Sequence, residues 1–492
     1  MGLIIKFWKN FKTQPEIWFF YGFLLTFTLT VRKVLWFLPL RGEFNEYSGV
    51  YLYLSDIFLG LTMLAWIITI LYNKIDILSI LKDVPRGTLV APLVLIIWSF
   101  ISLIWAENKF VSIFRSVKIL EFYLLYVFIL IRFFHWNVPR GTIFKKIFGL
   151  IMIIGLFQAL IGIIQAILQH SIGLFWLKES LINQNIDGVA KIIFNGETFI
   201  RAYGLFPHPN ILGGFLLFSI FLSLLYYKMF FAEQYIQEKN VPRGTFFKVL
   251  LGIQILALIL TFSKSSILGL FLGLIYYVYG NVPRGTFSIF VRKKKRLIIA
   301  SCLIIIFSFI IAKPDLYSFL FKGLNERLVY VNVSRGTIWN NPILGIGSGQ
   351  FVLSMENLPV IVENWMLEPV HNVFMLVWSE LGLVGFLILI LFILCVMRMF
   401  HICPVAKKYS TPVEMFHVEH SMGQAWNISN GVEQLDKQKG TIRMAKTFQA
   451  ISIGLLFIIF FDHYLWDIQQ GNFLLWMTMG FLVGASKNED TI

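Results

Sequence analysis

The sequence predicts an all-α integral membrane protein, and three observations carry that reading. Of its 492 residues, 57% are hydrophobic and only 14% are charged, against about 45–50% and about 25% in soluble domains. The mean hydropathy is +0.74. Runs of about 20 apolar residues, enough to cross a hydrocarbon core of roughly 30 Å, recur along the whole chain.

About twelve transmembrane helices are expected in one polytopic membrane domain spanning 1–492. They fall near 17–36, 51–72, 90–106, 112–134, 147–168, 209–230, 247–263, 265–280, 297–313, 371–397, 447–463 and 471–486. The first carries basic residues but no small-residue cleavage pattern, so a retained span is expected rather than a removed signal. The seventh and eighth, separated only by TFSKSS, read as a tight hairpin or re-entrant pair. Lys and Arg collect in alternate connections, including VRKKKR at 291–296 and a Lys-rich loop at 398–446. By the positive-inside rule both termini face the cytoplasm, and the loops at 169–208 and 314–370 face out. The net charge of +15 is thereby an orientation signal, and no nucleic-acid partner is expected. Three cysteines (Cys302, Cys395, Cys403) make no disulfide framework.

One hexapeptide recurs: NVPRGT at 137–142, 240–245 and 281–286, with DVPRGT at 83–88. Irregular spacing and the lack of a packing face argue against a solenoid unit. All four lie in loops assigned to the inside. MFHVEH at 415–420 offers His417, Glu419 and His420, but without the helical register of HExxH, and reads as no metal site. VPRGT and MFHVEH can both be encoded by TGTTCCACGTGGAACA in different frames. That string is its own reverse complement and resembles palindromes of bacterial chromosome partition. The peptides then read as passengers of an inserted DNA element, kept where loops tolerate insertion. NVSRGT at 332–337 looks like a further copy but lies inside a motif, and reads as native or coincidental.

Four clusters are left to carry chemistry. In RAYGLFPHPNILGGFLLF (201–218), Arg201 and His208 precede a helix start at Pro209 and Asn210, where free N–H groups meet anions; an interfacial loop is the plainer alternative. In LTFSKSSILGLFLGL (260–274), Lys264 is a charge between two apolar runs, functional or snorkelling to the interface. NERLVYVNVSRGTIWNNPILGIGSGQF (325–351) reads as an amphipathic surface helix with Arg327 at its start, ended by Pro and Gly. Its GIGSG is too short for a nucleotide loop. In EPVHNVFMLVWSELGLVGFLILI (368–390), His371 and Asn372 stand at a helix mouth with Glu380 further in. His371 is a proton handler or a plain cap at a loop edge.

In order and topology these four clusters resemble the O-antigen ligase and polymerase family, glycan transferases of the bacterial envelope. The resemblance covers 190–400: Arg201 with GLFPHPN, TFSK, Arg327 with PILGIG, and HNVFM followed by ELGLVG. The family has T-x-S-R where this chain has Lys264, which keeps the charge and loses the planar fork. The resemblance implies transfer of a glycan from undecaprenyl diphosphate to an acceptor hydroxyl at the outer face of the cytoplasmic membrane, without metal or cofactor. Arg201, Lys264 and Arg327 would bind the diphosphate, and His371 would be catalytic. His208, Asn210, Asn372 and Glu380 would support them, with Asp462 and His463 near the same face. Ligase is the first reading and polymerase the second. A transporter or flippase of lipid-linked sugar is the rival class, disfavoured because no matched Gly/Pro-broken halves are visible.

The insertion reading predicts the palindrome in the gene at all five places; unrelated codons there would end it. Deleting 281–286 is expected to leave transfer unchanged.

Overall fold

The computed structural model describes residues 13–82, 84–135, 140–194, 196–230, 243–281, 324–356, 366–400 and 424–486. The expected span at 297–313 and the MFHVEH segment lie outside them. The chain is a helical membrane protein. Six described helices are long and apolar enough to cross a bilayer: 54–72, 86–104, 143–168, 209–230, 373–398 and 440–458. Shorter apolar helices cover 245–260 and 264–278. A count of twelve is not reached among the described residues.

The first departure from expectation is at the N-terminal end. Helix α1 (Pro15–Thr26) stops ten residues before the expected boundary at 36. Its sequence turns β-branched and charged there (TLTVRK), and the chain enters an antiparallel hairpin, β1 (Arg32–Phe37) with β2 (Gly49–Tyr53). Arg32 fixes the hairpin by pairing with Glu46 at 2.5 Å and lying over the Tyr51 ring at 4.3 Å. Then follow α2 (Leu54–Tyr72), α3 (Arg86–Ile101), α4 (Lys109–Leu130) and α5 (Arg140–Leu168). A second hairpin pairs β3 (Lys191–Phe194) with β4 (Glu197–Ile200), so the all-α description omits two small β elements.

Helices α6 (Pro209–Phe230), α7 (Arg243–Leu260) and α8 (Lys264–Asn281) come next. The last two do not form a packed hairpin. Helix α7 lies on α5 and α6, whereas α8 lies on α11 (Gln424–Ile458). The α8–α11 contact is set by small residues. A Cβ on Gly269 would sit 2.8 Å from the Gly454 carbonyl, and one on Gly454 2.9 Å from that of Gly269. Only glycine lets two membrane helices approach this closely. Helix α12 (Gln469–Ser486) packs on α11 and α4.

Helix α9 (Leu324–Asn340), the expected amphipathic helix, docks on α10 (Val373–Arg398). Ser334, fully buried, hydrogen-bonds Ser379 side chain to side chain at 2.8 Å, which makes NVSRGT part of the fold. The expectation of loops without a packing face also fails for the copy at 83–88. Val84 and Thr88 are buried, and Gly87 faces Cys395 too closely for a Cβ. The Arg of three copies opens a helix: Arg86, Arg140 and Arg243.

Helix α10 is broken at Gly382 (φ 67°, ψ −172°). The break frees the Ser379, Glu380 and Leu381 carbonyls, which receive Ile346 N–H (3.0 Å), Gly347 N–H (2.8 Å) and the Trp98 indole N–H (2.8 Å). Two sequence motifs, PILGIG and ELGLVG, are thus one interlock of backbone against backbone.

Gly382→Ala would put a Cβ 2.0 Å from the Ile343 carbonyl at a left-handed φ. A loss of at least about 2 kcal/mol is expected, read as a fall in Tm in detergent. Gly252→Ala, at an exposed helical position with open space, is the control; equal behaviour of the two would refute the interlock.

Candidate active site

The N-termini of α6, α8, α10 and α12 and the C-termini of α7 and α11 meet at one end of the bundle. That end gathers Arg201, Lys264, Arg327, His208 and His371 from four segments. Four aligned helix N-termini add partial positive charge to it.

Arg201 follows β4 and is placed by two buried glutamines on α5. Gln165 Oε1 accepts from Gly204 N–H (2.8 Å) and Gln158 Oε1 from Leu205 N–H (2.8 Å), pinning the turn that leads to α6. Gly204 has φ +62°, and a Cβ there would meet Gln158 Oε1 at 2.8 Å. The Arg201 guanidinium donates to the Thr261 carbonyl (2.6 Å) and to Asn210 Oδ1 (2.5 Å). Asn210 Nδ2 then donates to Asp462 Oδ2 at 2.6 Å. Asp462 Oδ1 accepts the His463 N–H, and His463 Nδ1 donates to the Asp467 carboxylate at 2.8 Å. One polar chain therefore runs from Arg201 to Asp467 through the site.

Lys264 opens α8 after a Thr261–Ser263 turn, and Arg327 stands in the first turn of α9. Arg201, Lys264 and Arg327 are close enough for their charges to repel one another. Among the described residues, none donates a hydrogen bond to or accepts one from Arg327. Burial lowers Arg201 to about 10, which leaves it charged at neutral pH.

His371 is not at an open loop edge, as the sequence suggested. Its half-buried ring stacks on Tyr330 (centroids 5.6 Å, 10° between planes) and meets His463 edge-on at 5.0 Å. Its Nδ1 lies 3.2 Å from the Pro369 carbonyl. A carbonyl only accepts, so Nδ1 carries the proton and Nε2 keeps its lone pair. Burial first, then the positive charge of His463, push His371 down to about 4, so it is neutral. Burial would lower His463 as well, but Asp467 and Asp462 lift it to about 9. Burial would raise Asp462, yet the histidines and Arg327 around it hold it below the usual carboxylate range.

The other expected residues divide differently. His208 is lowered by burial to about 3, and its Nδ1 accepts the Asn210 N–H (3.1 Å) at the start of α6. It is neutral, with one N–H to offer. Asn372 caps α10 (Met375 N–H to Oδ1, 2.9 Å) and ties it to the Phe460 carbonyl. Glu380 lies away from the cations and accepts Gly349 N–H at 2.9 Å. Asn210, Asn372 and Glu380 therefore hold the site together.

Three residues escaped sequence reasoning: Tyr330, Glu368 and Asp467. Asp467, four residues after His463, could have been found as a helical i,i+4 pair, and Glu368 by its place three before His371. Glu368, His371 and His463 bring one donor atom each within 4.8 Å of one another, a set of the kind that holds a metal ion. A charged His463 offers such an ion no lone pair.

Residues 249–390 match the family model described as O-antigen ligase. This match over 142 of the 492 residues supports an O-antigen ligase and polymerase family assignment. The matched segment contains Lys264, Arg327, His371, Asn372 and Glu380; Arg201, Asp462 and His463 lie outside it and join it through the hydrogen bonds above. The family is one of membrane enzymes acting on lipid-linked glycans and their acceptors, which the apolar helices fit. No curated protein matches the chain.

His463 titrates higher folded (about 9) than unfolded (6.5). Its pairing with Asp467 therefore stabilises fully below pH 6.5 and is lost as pH rises through about 9. Tm is expected to fall more steeply across that window in wild type than in Asp467→Asn. Equal slopes would contradict the charged pair.

Proposed function

We propose that this protein is a ligase that moves a glycan from undecaprenyl diphosphate to an acceptor hydroxyl at the outer face of the bacterial cytoplasmic membrane, with both termini inside. The observation that carries this reading is the convergence of Arg201, Lys264 and Arg327 beside a neutral His371. Their charges suit a diphosphate, with Arg327 hydrogen-bonded to no described residue, and Arg offers it bidentate contact. Lys264 contributes a point charge.

In the proposed step the acceptor oxygen attacks the sugar carbon bound to the diphosphate. The carbon–oxygen bond to the phosphate breaks, and its electron pair leaves on the diphosphate. Arg201, Lys264 and Arg327 stabilise the charge that develops there. His371 Nε2 takes the acceptor proton, while Nδ1–H bonded to Pro369 and the stacked Tyr330 hold the ring in place. The face of that ring against Tyr330 leaves its edge for the hydroxyl. The short length of the 314–370 loop and the His371–Asn372 mouth resemble the ligase branch more closely, hence ligase before polymerase.

The test uses protein in lipid nanodiscs with labelled undecaprenyl-diphosphate glycan and a panel of acceptors. His371→Ala should fold and bind donor but lose transfer at least about a hundredfold. Arg327→Ala should weaken donor binding about tenfold to a hundredfold. Lys264→Arg should retain or tighten it. A single product supports a ligase, and a ladder would make it a polymerase. Donor that binds but never leaves its carrier would refute a transferase.

A further inference from the structure

The proposed transfer leaves one proton behind. The departing diphosphate keeps its electron pair, so the acceptor hydrogen stays on His371. An imidazolium there would face His463, with ring centroids 5.0 Å apart and His463 itself charged, and would also feel Arg327; Asp462, already shared with His463, Arg327 and Asn210, offsets this only in part. It needs a base within reach. Glu368 supplies one: its carboxylate lies within 4.8 Å of donor atoms on both His371 and His463. It accepts no hydrogen bond from a described residue, so its lone pairs are available.

The backbone holds it there. Asn45 Nδ2 donates to the Leu367 carbonyl at 3.0 Å, Leu367 and Val370 are buried, and the Pro369 carbonyl holds His371. The charges facing Glu368 are His463, Asp462, Asp467 and Glu46. Three carboxylates around it favour a neutral acid, and His463 keeps the ionised form from being excluded. Burial with these neighbours raises Glu368 to about 7, where both forms are populated. His371 and Glu368 thus differ in the direction that carries a proton away from the reacting hydroxyl.

Resting on the transfer reading above, we propose that Glu368 is the relay that takes from His371 the proton of the acceptor hydroxyl and releases it to water between turnovers. The proton moves from acceptor oxygen to His371 Nε2, and from His371 to a Glu368 oxygen, restoring a neutral imidazole. No electron changes hands, and no co-reactant is needed. His463, fixed by Asp467, acts as a standing positive charge that discourages the proton from remaining on His371. Glu368 and His463 act through His371, so theirs are positioning and relay roles.

The test compares wild type, Glu368→Gln and Glu368→Asp in nanodiscs by rapid-quench transfer from labelled undecaprenyl-diphosphate glycan, with donor binding measured separately. Glu368→Gln should bind donor as wild type does and complete about one turnover per protein at near wild-type rate. Later turnovers should then slow on the order of a hundredfold. Glu368→Asp should lie between. A structural role would slow the first turnover too, so equal slowing of first and later turnovers overturns the relay, as does an unaltered steady-state rate. Wild-type activity lost to a chelator and restored by Zn²⁺ overturns it in favour of a metal held by Glu368, His371 and His463. If wild type releases no glycan, the transfer reading itself fails and the relay falls with it.

Discussion

The side chain of Asn210 holds the site together. Its amide accepts from Arg201 and donates to Asp462, joining segments 252 residues apart in sequence. Without such a bridge the end of the bundle would be hard to close. Two like charges about 5 Å apart repel by about 3 kcal/mol at an effective dielectric near 20, and Arg201, Lys264 and Arg327 all converge here. The structure interleaves opposite charge among them. Asp462 answers Arg201, Arg327 and the histidines, and Asp467 answers His463. Asn210 does this without a charge of its own, so it adds nothing to the repulsion.

A second constraint is the break in α10. Gly382 leaves three carbonyls unpaired within the helix; the glycine-rich segment after α9 fills two and the Trp98 indole the third. This joins α9, which carries Arg327 and Tyr330, to α10, which follows His371. A cation for the donor and a base for the acceptor are thereby fixed on one rigid unit. The small-residue contact of Gly269 with Gly454 then sets the Lys264 end of α8 against the Asp462 end of α11. Backbone packing thus aligns side chains that never touch.

The membrane class, most helix positions and the residues brought together were legible in the sequence, because apolar length and isolated charges are local signals. Arg201, Lys264, Arg327 and His371 stand out as charges or histidines beside apolar runs. What was hidden is relational. The end of α1 at Thr26 is only weakly marked by the β-branched and charged residues after it, and the hairpin that follows depends on partners at 46–53 that are distant in the pattern. Glu380 looked like a site residue because it stands in a motif near His371; only the fold shows that its partner is the Gly349 backbone. Tyr330 and Glu368 gain meaning from the ring and the imidazole they meet. The VPRGT peptides read as loop insertions, yet the copy at 83–88 packs into the fold, because Pro before a helix and a buried Thr suit a helix start.

The most direct measurement is a structure with undecaprenyl diphosphate bound. The account predicts phosphate oxygens within hydrogen-bonding distance of Arg201, Lys264 and Arg327, with His371 Nε2 facing the space beyond the terminal phosphate. A diphosphate seated elsewhere, with those three side chains unmoved and uncontacted, would contradict it.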